Sequence, residues 1–176
     1  MAKGRGAAAK GRGAAPSDDA RLLAVDLGVR TGFAAFDASG RLLRVGSRNL
    51  GSRGRLRATA AGLRRELGRV DVLVLEGDRR LAGAWQREFG PRGTEVVLVE
   101  AERWRRALLH PRERRDAATA KAAAGELARA AVLHLGGTAP PTLRHDAAEA
   151  VLIGVWGLRT LGWIPAWPPG LDPRQR

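Results

Sequence analysis

The stretch "RLLAVDLGVRTGFAAFD", Arg21 to Asp37, decides the fold. Its first half, "LLAVDL" at 22–27, is apolar apart from one acid, the pattern of a central strand covered on both faces. "GVRTG" turns the chain and "FAAFD" at 33–37 returns it. A tight "ASG" turn then leads into "RLLRVGS" at 41–47, which makes a meander of three antiparallel strands. The acid in the first strand is Asp26, between Val25 and Leu27. Aspartate is depleted in strands, and a buried carboxylate is costly unless it is paired or binds a metal. Asp26 therefore either caps the turn through an Asx-type hydrogen bond or holds something.

Working outward, Leu56, Ala60, Leu63 and Leu67 recur at helical spacing and predict a helix over 53–68, with arginines on its other face. "VDVLVLE" at 70–76 is a second fully apolar strand. "GDRRLAGAWQREFG" follows as a short helix or irregular arm, then the strand "TEVVLVE" at 94–100 and the short helix "AERWRRALL". An Ala-rich helix spans 116–137, with Asp116 at its N-cap and Gly136 at its C-terminal stop. After the connector "TAPPTL", the last helix covers 144–161, and "WIPAWPPGLDPRQR" ends the chain as a Pro-rich irregular segment. A meander followed by βα units predicts an α/β fold, a mixed sheet with helices on it and right-handed crossovers.

A chain of 176 residues with 44% apolar content is long enough for one domain with a real core. Residues 1–18, with "KGRGAA" nearly repeated, read as a basic disordered tail, 19–163 as the folded domain and 164–176 as a Pro-rich tail. There are no cysteines, which removes disulfides and thiolate metal sites and suits a reducing compartment. No apolar run approaches the ~20 residues of a membrane span, and no secretory core is visible at the N-terminus. The net charge is +13, of which the first fifteen residues contribute +4 and the rest +9. An excess of that size over the folded part points to a polyanionic partner, most commonly nucleic acid.

Four acids stand out. Asp26 and Glu76 each end a strand that reads as central, and Gly28 and Gly77 follow closely. Asp146 and Glu149 lie three apart at the start of the last helix, on one face with Ile153 and Trp156. Taken singly, each acid has an ordinary reading: a turn cap, a solvated strand end, first-turn acids that complement the helix dipole. A helix packed on the two strands would bring all four together. Four ionised carboxylates share a small space only if cations neutralise them, and hard oxygen ligands suit Mg²⁺ or Mn²⁺. Beside a basic surface, that set reads as metal-assisted phosphodiester hydrolysis.

"AVDLGVRTGFAAFD", "VLVLEG" and "HDAAEAVLIG" resemble the three acidic motifs of the RuvC-type Holliday junction resolvases, within the RNase H-like superfamily. The resemblance covers about residues 21–161 and includes the order of elements. It implies an RNase H-like mixed five-stranded sheet flanked by helices. It implies catalytic and metal-binding roles for Asp26, Glu76, Asp146 and Glu149, two Mg²⁺ or Mn²⁺ ions per site with Asp26 bridging them, and products with 5′-phosphates. Glu149 departs from the family, which usually has Asp there. The resemblance further offers His145 an assisting role and Lys121 a phosphate contact, although a helix-start His and a lone helical Lys are commonly just solvated. Arg30, Arg79, Arg103, Arg105 and Arg106 are candidates to hold the DNA backbone by charge.

The implied partner is branched, four-way DNA, with no membrane association and a cytoplasmic, nucleoid-associated location. The implied homodimer is left open, because the segment after Glu76 that builds the family's interface is short here. The main rival is another RNase H-like nuclease acting on flaps, single strands or RNA; ribosomal RNA maturation factors share the opening "DxG" strand but lack the "DAAEA" pair. Sugar-kinase and actin-like ATPases also use an Asp-x-Gly hairpin but need two such domains. A non-catalytic DNA-binding protein on the same fold would gain nothing from four phosphate-repelling acids. Among the tryptophans, Trp156 reads as core, Trp163 and Trp167 dock the Pro-rich tail, and Trp85 is the one expected to reach DNA.

Overall fold

Parity along the two central strands sorts the core. In the computed structural model, which describes residues 16–136 and 142–176, β1 (Arg21–Leu27), β2 (Arg30–Asp37) and β3 (Leu42–Asn49) form the expected meander. Then follow α1 (Arg53–Leu67), β4 (Val72–Gly77), α2 (Arg79–Phe89), β5 (Glu95–Val99), α3 (Ala101–Leu108), α4 (Ala117–His134) and α5 (His145–Thr160). The sheet order is β3-β2-β1-β4-β5, with β4 and β5 parallel to β1. The architecture is the expected α/β one, a mixed five-stranded sheet flanked by helices. The basic N-terminal tail lies largely outside the described residues, as does most of the "TAPPTL" connector.

Side chains alternate across a strand. Leu23, Val25, Leu73 and Leu75 therefore face one layer, where Leu56, Ala60, Leu63 and Leu67 of α1 join Ala82, Trp85 and Phe89 of α2. Leu22, Ala24, Val72 and Val74 face the other layer, built from α3, α4 and α5. Asp26 and Glu76 share the parity of this second set. Both strand-end acids consequently point toward α5.

Trp85 corrects an expectation. The segment after Glu76 is a regular helix of 11 residues, capped by Asp78, whose side chain accepts from the Arg80 amide. Ala82, Trp85 and Phe89 recur at helical spacing on its inner face, and Trp85 is fully buried, stacked on Phe89 at 6.2 Å between ring centroids. Placed in the core, it has no route to DNA. Trp156 is core, as expected. Trp163 and Trp167 pack on the α5 layer, and Ile164 and Leu171 of the Pro-rich segment are buried in it. Asp116 caps α4 by accepting from the Thr119 amide at 2.8 Å, and α4 ends just ahead of Gly136. No helix among the described residues is long and apolar enough to cross a membrane.

What seats α5 on the sheet is Gly32. A Cβ built there would lie 1.9 Å from the Asp146 carbonyl oxygen, so the α5 backbone occupies the space that any side chain would need. Gly32→Ala must lift the first turn of α5, and overpacking against backbone has no flexible neighbour to give way. It is expected to destabilise the fold by about 3 kcal/mol or more. Gly62→Ala, in α1 with nothing within 4 Å of its Cβ position, is expected to be neutral or to stabilise by up to about 1 kcal/mol. Urea denaturation of the two variants reads both effects.

Candidate active site

The ladder hydrogen bonds line up four residues in one row across the sheet. Ser47 of β3 pairs with Gly32 of β2, Gly32 with Asp26 of β1, and Asp26 with Glu76 of β4. All four lie on the α5 side. The start of α5 lies over this row, and Asp146 and Glu149 are both buried there. Gly77 has φ +103, which a side chain would strain, and its Cβ would meet the Leu27 carbonyl oxygen at 2.4 Å. The two central strands can therefore end side by side immediately after their acids.

The structure brings Asp26, Glu76 and Glu149 together, each offering a carboxylate oxygen within 4.8 Å of the others. Asp146 lines the same cleft but stands apart from this trio. Its Oδ2 accepts a hydrogen bond from the Ser47 hydroxyl. The separation follows from the helix: the first turn sits over Gly32, toward β3, and the next turn carries Glu149 toward β1 and β4. The expectation that all four acids come together is met for three of them, Asp26, Glu76 and Glu149, while Asp146 is held from the edge strand.

The trio is short of positive charge. Burial, followed by the charges of Glu149, Glu76 and Asp146, pushes the Asp26 carboxyl up to about 8, with Arg105 opposing. Burial and Glu149 push Glu76 up to about 7, against Arg105 and a hydrogen bond with Asp26. Arg105, expected on the DNA backbone, is instead turned inward: its Nη2 lies 2.5 Å from Glu149 Oε1. His145 Nε2 lies 3.4 Å from Glu149 Oε2 without a hydrogen-bond partner. Asp26, Asp146, Glu149 and His145 open into a cleft of ≈ 610 Å³ lined also by Arg30, Lys121, Thr142 and Arg144.

Of the remaining predicted contacts, Arg30 and Lys121 are exposed at this cleft. Arg79 pairs with Glu100 at 3.1 Å, Arg106 pairs with Glu102 at 2.7 Å, and Arg103 lies over the Trp156 ring at 5.7 Å. Sequence reasoning missed Ser47 and Arg144. Arg144 had a signal, a cation two residues before Asp146 in "RHDAAEA". Ser47 had none, because a bulge between Ala35 and Phe36 shifts the β2–β3 register. Counted from the turn, where Phe36 pairs with Leu42, Gly32 would face Gly46 instead.

No protein-family model matches the chain, and no curated protein matches it. Chemically, Asp26, Glu76 and Glu149 form an oxygen-only donor set with excess negative charge in a partly buried site, which fits a hard divalent cation.

Two carboxyls with raised pKa values bind protons more tightly folded than unfolded. Their contribution to stability is full below the unfolded carboxylate range near ~4 and is lost as pH rises through about 7 and about 8. In chelating buffer, Asp26→Asn should match wild type at about pH 4 and below. At pH 9 it should be more stable by on the order of 1–3 kcal/mol, since it removes one crowded charge. Thermal melts of both proteins across this range measure the difference, and a gap that does not widen with pH contradicts the charge crowding.

Proposed function

We propose that this protein is a metal-dependent, structure-selective endodeoxyribonuclease that resolves four-way DNA junctions by phosphodiester hydrolysis, a RuvC-type activity on an RNase H-like fold. One observation carries the reading: Asp26 and Glu76, side by side in parallel register, meet Glu149 from the last helix in a strongly basic chain. The three motifs that supply these acids are the ones that resemble the resolvases.

Asp26, Glu76 and Glu149 would hold Mg²⁺ or Mn²⁺, with Asp146 alongside. Such ions, two per site in the resemblance, would supply Lewis-acid activation of a water and neutralise charge on the leaving 3′-oxygen. The chain's own residues do the rest. Arg30, Lys121 and Arg144 at the cleft draw the phosphate backbone toward the acids, which would otherwise repel it. Ser47 keeps Asp146 oriented. Burial of Glu76 and Glu149 shields two of the three ligands from bulk water. Paired incision across a junction needs two such sites, so the reading includes a homodimer.

The test is incubation of the protein with a synthetic four-way junction, a linear duplex and a splayed fork, with Mg²⁺, Mn²⁺ or EDTA. The expected outcome is paired symmetric nicks on the junction alone, absent in EDTA and slower by about 10⁴-fold or more in Asp26→Asn. Cutting of duplex or fork would move the assignment to a general RNase H-like nuclease. Tight binding without cutting under any metal would overturn the catalytic reading.

A further inference from the structure

Arg105 is an odd partner for a structural ion pair. It reaches Glu149 through Nη2, while its Nε is buried without a hydrogen-bond partner. A guanidinium that serves stability presents its planar fork to a carboxylate and uses several donors. Here the neighbouring face rests on the Trp104 ring, 5.1 Å from its centroid, and the side chain keeps 26% of its surface exposed. Glu149 is far more buried, at 8%. Among the described residues, no other lysine or arginine forms an ion pair with Asp26, Glu76 or Glu149. The neighbouring arginines have other occupations: Arg103 sits over Trp156, and Arg106 holds Glu102.

We infer that Arg105 is the resident counter-ion of the acid cluster, held on Glu149 when the site is metal-free and exchanged for a divalent ion when one binds. The inference rests on the metal-binding reading above and adds a regulatory element to that site. The physical argument is competition. One guanidinium offsets one charge of a three-carboxylate cluster, so the cluster stays negative and attractive to a divalent cation. Glu149 belongs both to the ion pair and to the trio that offers oxygens to a metal. A cation seated on the trio and the Arg105 guanidinium repel each other across a low-dielectric site. Arg105 is placed to yield: it has an aromatic face beside it, a path to solvent, and no second carboxylate contact. It thereby stabilises the metal-free protein and weakens metal binding, which ties the loaded state to a sufficient free-ion concentration.

The experiment is Mn²⁺ titration by calorimetry at pH 8 on wild type, Arg105→Gln and Arg105→Lys, with thermal melts of each in EDTA. Arg105→Gln is expected to melt lower in EDTA and to bind Mn²⁺ about tenfold tighter. Arg105→Lys, which keeps the charge, is expected to stay within about threefold of wild type. A purely structural Arg105 would lower the melting temperature and leave Mn²⁺ affinity unchanged or weaker, which overturns the inference while the metal reading stands. No Mn²⁺ binding by any of the three overturns the metal reading and the inference with it. Guanidinium NMR of the wild-type protein gives an answer that does not depend on a variant folding. Arg105 Nη rotation should be hindered in EDTA and freed at saturating Mg²⁺, with Arg106 unchanged; an Arg105 signal that does not respond overturns the exchange.

Discussion

The row Ser47–Gly32–Asp26–Glu76, with the backbone of α5 resting on its glycine, is the constraint on which the rest of the structure depends. It places two strand-end carboxylates side by side on the α5 face of the sheet. The missing side chain of Gly32 lets the first turn of α5 descend far enough for Glu149 to join them. Any other residue in that position would hold α5 off the sheet and separate Glu149 from Asp26. Packing and chemistry are therefore decided by the same contact.

Crowding these acids is unfavourable for the bare fold. The raised affinity of Asp26 and Glu76 for protons is the measure of that cost. The protein offsets part of it with Arg105 and with the hydroxyl of Ser47. The remainder is a standing attraction for cations inside a protein whose surface is strongly basic. That opposition of signs, a negative cleft rimmed by Arg30, Lys121 and Arg144, is what the proposed function draws on.

The two layers over the sheet differ in what they do. On one side α1 and α2 close a mainly apolar core, and the interior place of Trp85 follows from the helical repeat of Ala82, Trp85 and Phe89. Read as an arm, that segment is free to touch a ligand; read as a helix, its aromatic residues have only one face to occupy. On the other side α5 is buried from Asp146 to Leu158, covered by α3 and α4. This burial makes α5 a rigid carrier for Glu149 and lets α3 deliver Arg105 from outside the sheet.

The sequence by itself determined the strands, their order, the helices other than the segment after Glu76, and the four acids as candidates. These are local matters: apolar runs define central strands, alternation sends Asp26 and Glu76 to the same face, and a three-residue spacing puts Asp146 and Glu149 on one side of a helix. Tertiary structure decided the rest. A bulge at Ala35/Phe36 brought Ser47 into the site row, and a one-residue shift of this kind leaves no mark in the residues themselves. The position of α5 over Gly32 split the acids into a trio and a tethered fourth. The fate of Arg105 depended on where α3 lay relative to Glu149, and two segments separated by 44 positions meet only through the folded core between them.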